Sequence, residues 1–281
     1  MKNICPTEFK KPLQNFDKLT LTELNSTASF LKRIDRKFLL TLSQFKEILW
    51  DLKKDFRVLE IDWKRMFKYD NVYMDSKDYK FYNDHQNRVN PRTKVRTRLY
   101  KDSNLAFFEY KHKQDWVTQK YRYSFPVEEH WKMTIGKKRF FEWVWQSLHT
   151  WEKIPHLTPA IRTTYDRITL VSKNWEERLT IDFNIKTKNL RRKNGKVVEL
   201  KNLVIIESKT LKKDAIAISI MKQHFINRAK ACSKYSLWVV YAWLAEKYDH
   251  FKNTMEEIKK IRLSTLRNRT RRHCIKTFFY Q

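Results

Sequence analysis

Between residues 92 and 98 the chain sets Arg92, Lys94, Arg96 and Arg98 at every second position, and Glu109, Lys111 and Lys113 keep the same rhythm. A period of two is that of a β-strand, so each set falls on one face of a sheet. Neighbouring like charges repel, so such a face is either bathed in water or built around an anion. Arg grips phosphate oxygens bidentately through its planar fork, and Lys adds a point charge beside it. The alternation recurs along the chain. Lys120 and Arg122 alternate with Tyr121, Tyr123 and Phe125, and Tyr165 shares a face with Arg167. Arg178, Thr180 and Asp182 oppose Leu179, Ile181 and Phe183, while Glu207 and Lys209 oppose Val204, Ile206 and Ser208. Arg33, Asp35 and Lys37 oppose Ile34, Arg36 and Phe38. One such strand is what an antiparallel sheet with a wet face gives by default. Several together, with positive charge predominating, would line a phosphate-holding tunnel if the sheet closes with this face inward.

The acids within this set carry a separate meaning. A carboxylate beside bound phosphate repels it unless a divalent cation stands between them, and Mg2+ or Mn2+ commonly takes one or two carboxylates plus phosphate oxygens. Glu207 is the first candidate for such a ligand, followed by Glu109 and Asp35. The competing reading of each is an ion pair with a neighbouring Lys. Only two glycines occur, Gly136 and Gly195, which excludes Gly-rich phosphate loops of the P-loop or Rossmann type. The eight histidines form no HExxH-like cluster, and His85 and His112 are expected to be packing or surface residues rather than catalysts.

The elements that position these residues are mostly strands. They are expected at 29–41, 64–75, 92–101, 105–113, 118–126, 161–171, 177–185 and 201–209. An amphipathic helix capped by Ser43 should run to about Leu52, with further helices over 137–151, 213–230 and 246–263. Short connections between eight strands predict an α+β fold: an antiparallel barrel, closed on itself and flanked by helices. The reading divides the chain into an N-terminal extension (1–28), a tunnel domain (29–262) and a basic C-terminal segment (263–281).

Composition sets the frame. The 281 residues are 41% hydrophobic and 15% aromatic, enough for a sizeable core. Sixty Lys and Arg against 31 Asp and Glu give a formal charge of +29, which implies a polyanionic partner. Three scattered cysteines, Cys5, Cys232 and Cys274, point to a reducing compartment. With no apolar signal region and no run of membrane-spanning length, the expected location is cytoplasmic.

Eight motifs then occur in order: RIDRKF (33–38), KVRTRLY (94–100), FFEYKHK (107–113), TQKYR (118–122), AIRTTYDRITL (160–170), RLTID (178–182), VIIESK (204–209) and CSKY (232–235). Together they resemble the VTC domain, the polyphosphate polymerase module of the vacuolar transporter chaperone family, within the CYTH-like triphosphate tunnel metalloenzymes. The resemblance implies an eight-stranded tunnel that passes the γ-phosphate of ATP to a growing polyphosphate chain with Mn2+ or Mg2+. It implies that Lys37, Arg96, Arg98, Lys111 and Arg167 grip phosphates with Tyr165 beside them, and that Glu207 holds the metal, with Glu109 as a further candidate. Ser233 and Lys234 would contact the chain at the tunnel mouth. Lys94, Lys120, Arg122, Arg178 and Lys209 join the substrate-binding set through their shared faces. Two alternatives stand beside the polymerase. One is a metal-dependent triphosphatase of the same fold. The other is a non-catalytic nucleic-acid-binding protein, which is disfavoured because the most regular basic strands place their aromatics opposite the cations.

Overall fold

The computed structural model describes residues 7–26, 34–115, 117–241 and 247–264. Its strands are β1 (Lys18–Leu19), β2 (Ile34–Thr41), β3 (Phe56–Leu59), β4 (Phe67–Asp75), β5 (Arg92–Tyr100) and β6 (Leu105–Gln114). They continue with β7 (Val117–Ser124), β8 (Thr158–Ser172), β9 (Glu177–Asn189), β10 (Val197–Leu200) and β11 (Leu203–Thr210). The helices are α1 (Thr7–Gln14), α2 (Leu21–Ser26), α3 (Leu42–Asp55), α4 (Lys80–Gln86), α5 (Ile135–Leu148), α6 (Ile216–Gln223) and α7 (Lys234–Tyr241). Residues 252–264 are also helical. Helices α4 and α7 were not anticipated. Arg33 and most of the basic segment 263–281 lie outside the described residues.

Eight strands form one antiparallel path, ordered β2-β11-β9-β8-β4-β5-β6-β7. The expected closure into a barrel is not seen: among the described residues the one strand paired with β2 is β11, beside a single bridge from Phe38 to Arg228, and β7 pairs only with β6. The side chains at these edges supply a reason. Hydrogen bonding would bring β7 and β2 within about 4.8 Å. That would crowd inward-pointing Lys120 and Arg122 against Lys37, whose carboxylate partners Glu109 and Glu207 are already committed. The sheet still curls strongly. Lys113 on β6 feels the charges of Lys37 and Asp35 on β2, and Lys111 on β6 feels Lys209 on β11. The result is a deep trough rather than a sealed tube.

Two apolar clusters hold this curvature. On the outer face, Phe38, Leu40, Ile168, Leu179, Ile181, Val204 and Ile206 pack against Phe9 and Leu13 of α1, Phe45, Ile48, Leu49 and Leu52 of α3, and Ala217 and Met221 of α6. Each fully buried Leu, Ile or Phe contributes ~1.5–3 kcal/mol. In α3 the apolar residues recur at helical spacing. Its cap is Thr41, not the expected Ser43. Thr41 Oγ1 accepts from the Gln44 amide at 3.2 Å, and Gln44 Oε1 accepts from the Thr41 amide at 2.9 Å. This capping box lets β2 turn directly into the helix that covers it.

The second cluster joins Val95, Phe108 and Tyr110 on the outer side of β5 and β6 to Phe141, Val144 and Trp145 of α5. It also enters the trough. Opposite Tyr165 of β8, β9 places two residues, Asn184 and Ile185, in a bulge where Asn184 takes φ 52°. The extra residue reverses the alternation. Asp182 therefore faces inward before the bulge, and Ile185 faces inward after it. Beyond it several inward positions are apolar, interspersed with buried Thr163, Thr187 and Asn189. Leu39, Tyr73, Ile161, Ile185 and Ile205 are all buried in the cluster that contains Tyr235 and Trp238 of α7. Helix α7 thus gives the trough an apolar floor at one end.

Candidate functional site

Strand register places the predicted cations on one concave surface. Lys37 faces Glu207, Glu207 faces Thr180, and Lys209 faces Arg178 across β2, β11 and β9. Asp182 faces Arg167 across β9 and β8, while Tyr69 lies between Tyr165 and Tyr100. On the other flank Arg96 pairs in register with Glu109 and Lys94 with Lys111, and Lys120 and Arg122 lie across from Lys111 and Glu109. Ser233 and Lys234 join from the start of α7.

Glu109 is completely buried, and four N–H donors occupy its two oxygens. Arg96 Nε and Nη2 reach Oε2 at 2.7 and 2.6 Å, while Lys120 Nζ and Arg122 Nη2 reach Oε1 at 2.7 and 3.0 Å. Burial alone would raise its carboxyl, but Arg96, Arg98 and Lys120 hold it well below the usual range. A carboxylate has about four lone-pair sites, and here all are taken. Glu109 is therefore the organiser of the cations around it, and its expected role as a metal ligand does not fit this geometry.

A second carboxylate, Asp182, receives Arg167 bidentately at 2.6 and 2.8 Å and Lys234 Nζ at 2.7 Å. This ties β8, β9 and α7 together. Arg98 is held between Asn71 Oδ1 at 2.9 Å and the Tyr165 hydroxyl at 3.4 Å. Burial opposes ionisation of Tyr165, yet Arg167 and Arg98 bring its phenol below its ordinary value. Tyr235 stacks on Tyr73 at 5.1 Å and donates to the buried Asp75, which anchors the first turn of α7.

Glu207 is held more loosely. Lys37 Nζ lies 3.0 Å from Oε1, Lys209 Nζ lies 3.6 Å from Oε2, and the Thr180 hydroxyl is 3.5 Å away. Burial works against its charge, but Lys209, Lys37, Lys234 and Arg167 keep it ionised well below the usual carboxylate range. No group of three His, Cys, Asp or Glu that could hold a metal occurs among the described residues. The donor set at Glu207 is one ionised carboxylate beside a hydroxyl. It fits a hard divalent ion that completes its shell with phosphate oxygens and water, as Mg2+ does, and does not fit an all-protein cage.

Lys94 and Lys111 differ from the other cations. Among the described residues neither has a carboxylate within ion-pair distance; Lys94 Nζ instead donates to Ser233 Oγ at 2.9 Å. Burial, reinforced by Arg92, Lys37, Lys113 and Arg96, pushes the Lys94 ammonium down to about 7. Burial likewise depresses Lys111, with Arg96 and Lys209 adding to the effect and Glu109 opposing it. Buried cations without counter-charge are costly, and a bound anion relieves that cost.

Sequence reasoning placed Asp182 on the inward face but gave it no role, which comes only from the register of β8 on β9 and from α7. Tyr100 and Phe107 stand two residues from Arg98 and Glu109, so strand parity already placed them on the cation face. The expected separation of aromatics from cations holds for Phe108, Tyr110, Tyr121 and Tyr123, and fails for Tyr69, Tyr73, Tyr100 and Phe107. His85 and His112 are buried packing residues, with His85 Nδ1 2.8 Å from Ser236 Oγ.

No curated protein matches the sequence. Among solved structures, a candidate adenylate cyclase from Bacillus halodurans aligns with TM-score 0.49 and 15% identity, over 72% of this chain and 94% of that one. A candidate adenylyl cyclase from Hippeastrum, described as having dominant triphosphatase activity, gives TM-score 0.44 and 11% identity over 74% of this chain and 96% of that one. The RNA triphosphatase Pct1 of S. pombe gives TM-score 0.27 and 10% identity over 93% of this chain and 94% of that one. The family model described as the VTC domain matches residues 32–241, from the first described strand of the trough to the end of α7, and the chain belongs to the VTC domain family.

Proposed function

We propose that the chain is a metal-dependent phosphotransferase that binds the triphosphate of ATP in the trough and passes the γ-phosphate to the end of an inorganic polyphosphate chain. The observation that carries this reading is the pair of half-buried lysines, Lys94 and Lys111, with no carboxylate at ion-pair distance among the described residues, in a lining where most other cations are held by Glu109, Asp182 or Glu207. A linear run of phosphates supplies the missing charge along the whole row.

No protein nucleophile is required. The terminal oxygen of the acceptor chain attacks the γ-phosphorus, a new P–O–P bond forms, and the β–γ bond breaks to release ADP. Arg96, Arg98 and Arg167 hold the non-bridging oxygens, and Lys94 and Lys111 face the charge that moves along the chain. Lys37 and Lys209 hold Glu207 in place, with Thr180 beside it, while Ser233 and Lys234 meet the phosphates nearest α7. A divalent ion held at Glu207 would neutralise phosphate charge during transfer. Arg178, Lys120 and Arg122 extend the positive surface toward the trough's edges.

A second reading, hydrolysis of a triphosphate by water, draws support from the apolar floor, which leaves a short pocket suited to few phosphates. One experiment separates the two. Purified protein is incubated with ATP and Mn2+, and the products are run on a gel after nuclease digestion. A polymer ladder with matching ADP supports transfer to polyphosphate. Free phosphate or tripolyphosphate without polymer selects hydrolysis. No ATP turnover, together with salt-sensitive DNA or RNA binding, refutes both.

A further inference from the structure

Among the inward aromatics, Tyr73 stacks on Tyr235 of α7, whereas Tyr69, Tyr100 and Phe107 cluster beside Arg98 and Arg122. Tyr69 and Tyr100 meet edge to face at 5.0 Å, and Tyr100 meets Phe107 edge to face at 5.9 Å. Tyr69 stacks on Tyr165 at 5.4 Å with the rings 10° apart. The guanidinium of Arg122 lies 4.5 Å from the Phe107 ring, and that of Arg98 lies 5.4 Å from Tyr69 and 5.9 Å from Tyr100. Tyr69, Tyr100 and Phe107 are all only partly buried. They form a ledge of π-faces and guanidinium planes beside the phosphate-facing cations.

Building on the phosphate-site reading above, we propose that this ledge is a nucleobase subsite, with Tyr100, Phe107 and Arg122 stacking on the base of a bound nucleoside triphosphate. Two observations fix the orientation. At the opposite end Leu39, Ile161, Ile205, Tyr235 and Trp238 are buried against one another and leave no exposed ring face for a base. Along β5, Tyr100 stands ~7 Å from Arg98 and ~14 Å from Arg96, at the rise of an extended strand. A triphosphate can therefore lie against Arg96 and Arg98 while the ribose carries the base outward to Tyr100. Recognition by ring faces and guanidinium planes reads stacking area rather than base edges, so the subsite prefers purines and discriminates weakly between ATP and GTP.

The test compares ATP with inorganic tripolyphosphate, which shares the phosphates and lacks the base. Kd values for both are measured by calorimetry on the wild type and on Tyr100→Leu and Phe107→Leu, which keep apolar bulk but lose the aromatic face. The expected result is a roughly tenfold weaker Kd for ATP with tripolyphosphate unchanged. Tyr100→Ala and Phe107→Ala, checked for folding by circular dichroism, should show the same split. Equal weakening of both ligands overturns the subsite and makes the ledge a support for Arg98 and Arg122. An unchanged ATP affinity overturns it as well, and so does a loss confined to single-stranded oligonucleotide binding. If the wild type binds neither ATP nor tripolyphosphate, the phosphate-site reading fails and the subsite fails with it.

Discussion

The depressed Lys94 ammonium would make the proposed triphosphate binding a proton-coupled event. In the free protein, burial and then Arg92, Lys37, Lys113 and Arg96 bring this ammonium from 10.5 down to about 7. A phosphate oxygen beside it restores the ordinary value or exceeds it. Above pH 7 the free lysine is largely neutral, so binding must take up a proton and weakens toward tenfold for each pH unit. Between pH 7 and pH 9 the loss from Lys94 alone is ~50-fold in Kd, or about 2 kcal/mol. Lys111, depressed in the same direction, deepens the fall. A phosphate monoester completes its second ionisation near pH 6, so ATP changes its own charge little across this range. The assay is calorimetry with ATP at pH 8.5 in buffers of different ionisation enthalpy, which counts protons directly. The wild type should take up about one proton or more, and Lys94→Met should take up about one fewer. The affinity advantage of wild type over Lys94→Met should shrink as pH rises. No proton uptake in the wild type, or an undiminished uptake in Lys94→Met, would refute the assignment of Lys94 to the phosphates.

Three further outcomes follow from the same geometry. Glu109→Gln keeps the shape but removes the charge that gathers Arg96, Lys120 and Arg122; breaking a buried ion pair of this kind costs about 3–5 kcal/mol. Urea melts should show that loss, and added tripolyphosphate should restore part of it; an unchanged midpoint would contradict the organising role. Glu207→Ala should abolish metal-dependent turnover with the circular dichroism spectrum retained, and surviving turnover would reduce Glu207 to an ion-pair partner of Lys37 and Lys209. The third outcome concerns stability and pH. Burial leaves Lys94 at about 7 and Lys120 at about 8, both below their unfolded value of 10.5. The unfolded chain therefore binds more protons from about pH 7 upward, so ligand-free stability rises with pH in that window. The Tm without ligand should be higher at pH 9 than at pH 7, and a Tm that falls over this interval would count against these shifts.

Much of the site was legible because a strand's alternation is a hard constraint. Once Arg96 and Arg98 were assigned to a strand, their shared face followed, and Lys111, Arg167 and Glu207 obeyed the same rule on theirs. Parity cannot say which strands neighbour one another. The pairing of Arg167 with Asp182, the four-donor knot on Glu109 and the reach of Lys234 to Asp182 all depend on register and on α7. Helix α7 was hidden because its apolar stretch around Leu237–Val240 has little polar face to mark a helical period. The bulge at Asn184 was hidden too, since one extra residue flips every later side chain without altering composition. Ser43 misled because a hydroxyl two residues into a helix resembles a cap, whereas the Thr41–Gln44 pair closes the end more completely.

The unjoined edges of β2 and β7 bear on how the trough responds to what it holds. In a closed barrel the circumference is dictated by strand number and stagger, and the ladder hydrogen bonds resist any change in girth. Here no ladder joins β2 to β7 among the described residues, although the Ala229 amide donates to the Lys37 carbonyl on β2, and Lys37, Lys120 and Arg122 lie on these two strands. The width of the cleft is thus governed by a balance between charge repulsion and the curl imposed from outside by α1, α3 and α6. An anion tips that balance inward. With phosphate bound as proposed, the occupant would become a structural member of the wall, so that grip and fit arise together.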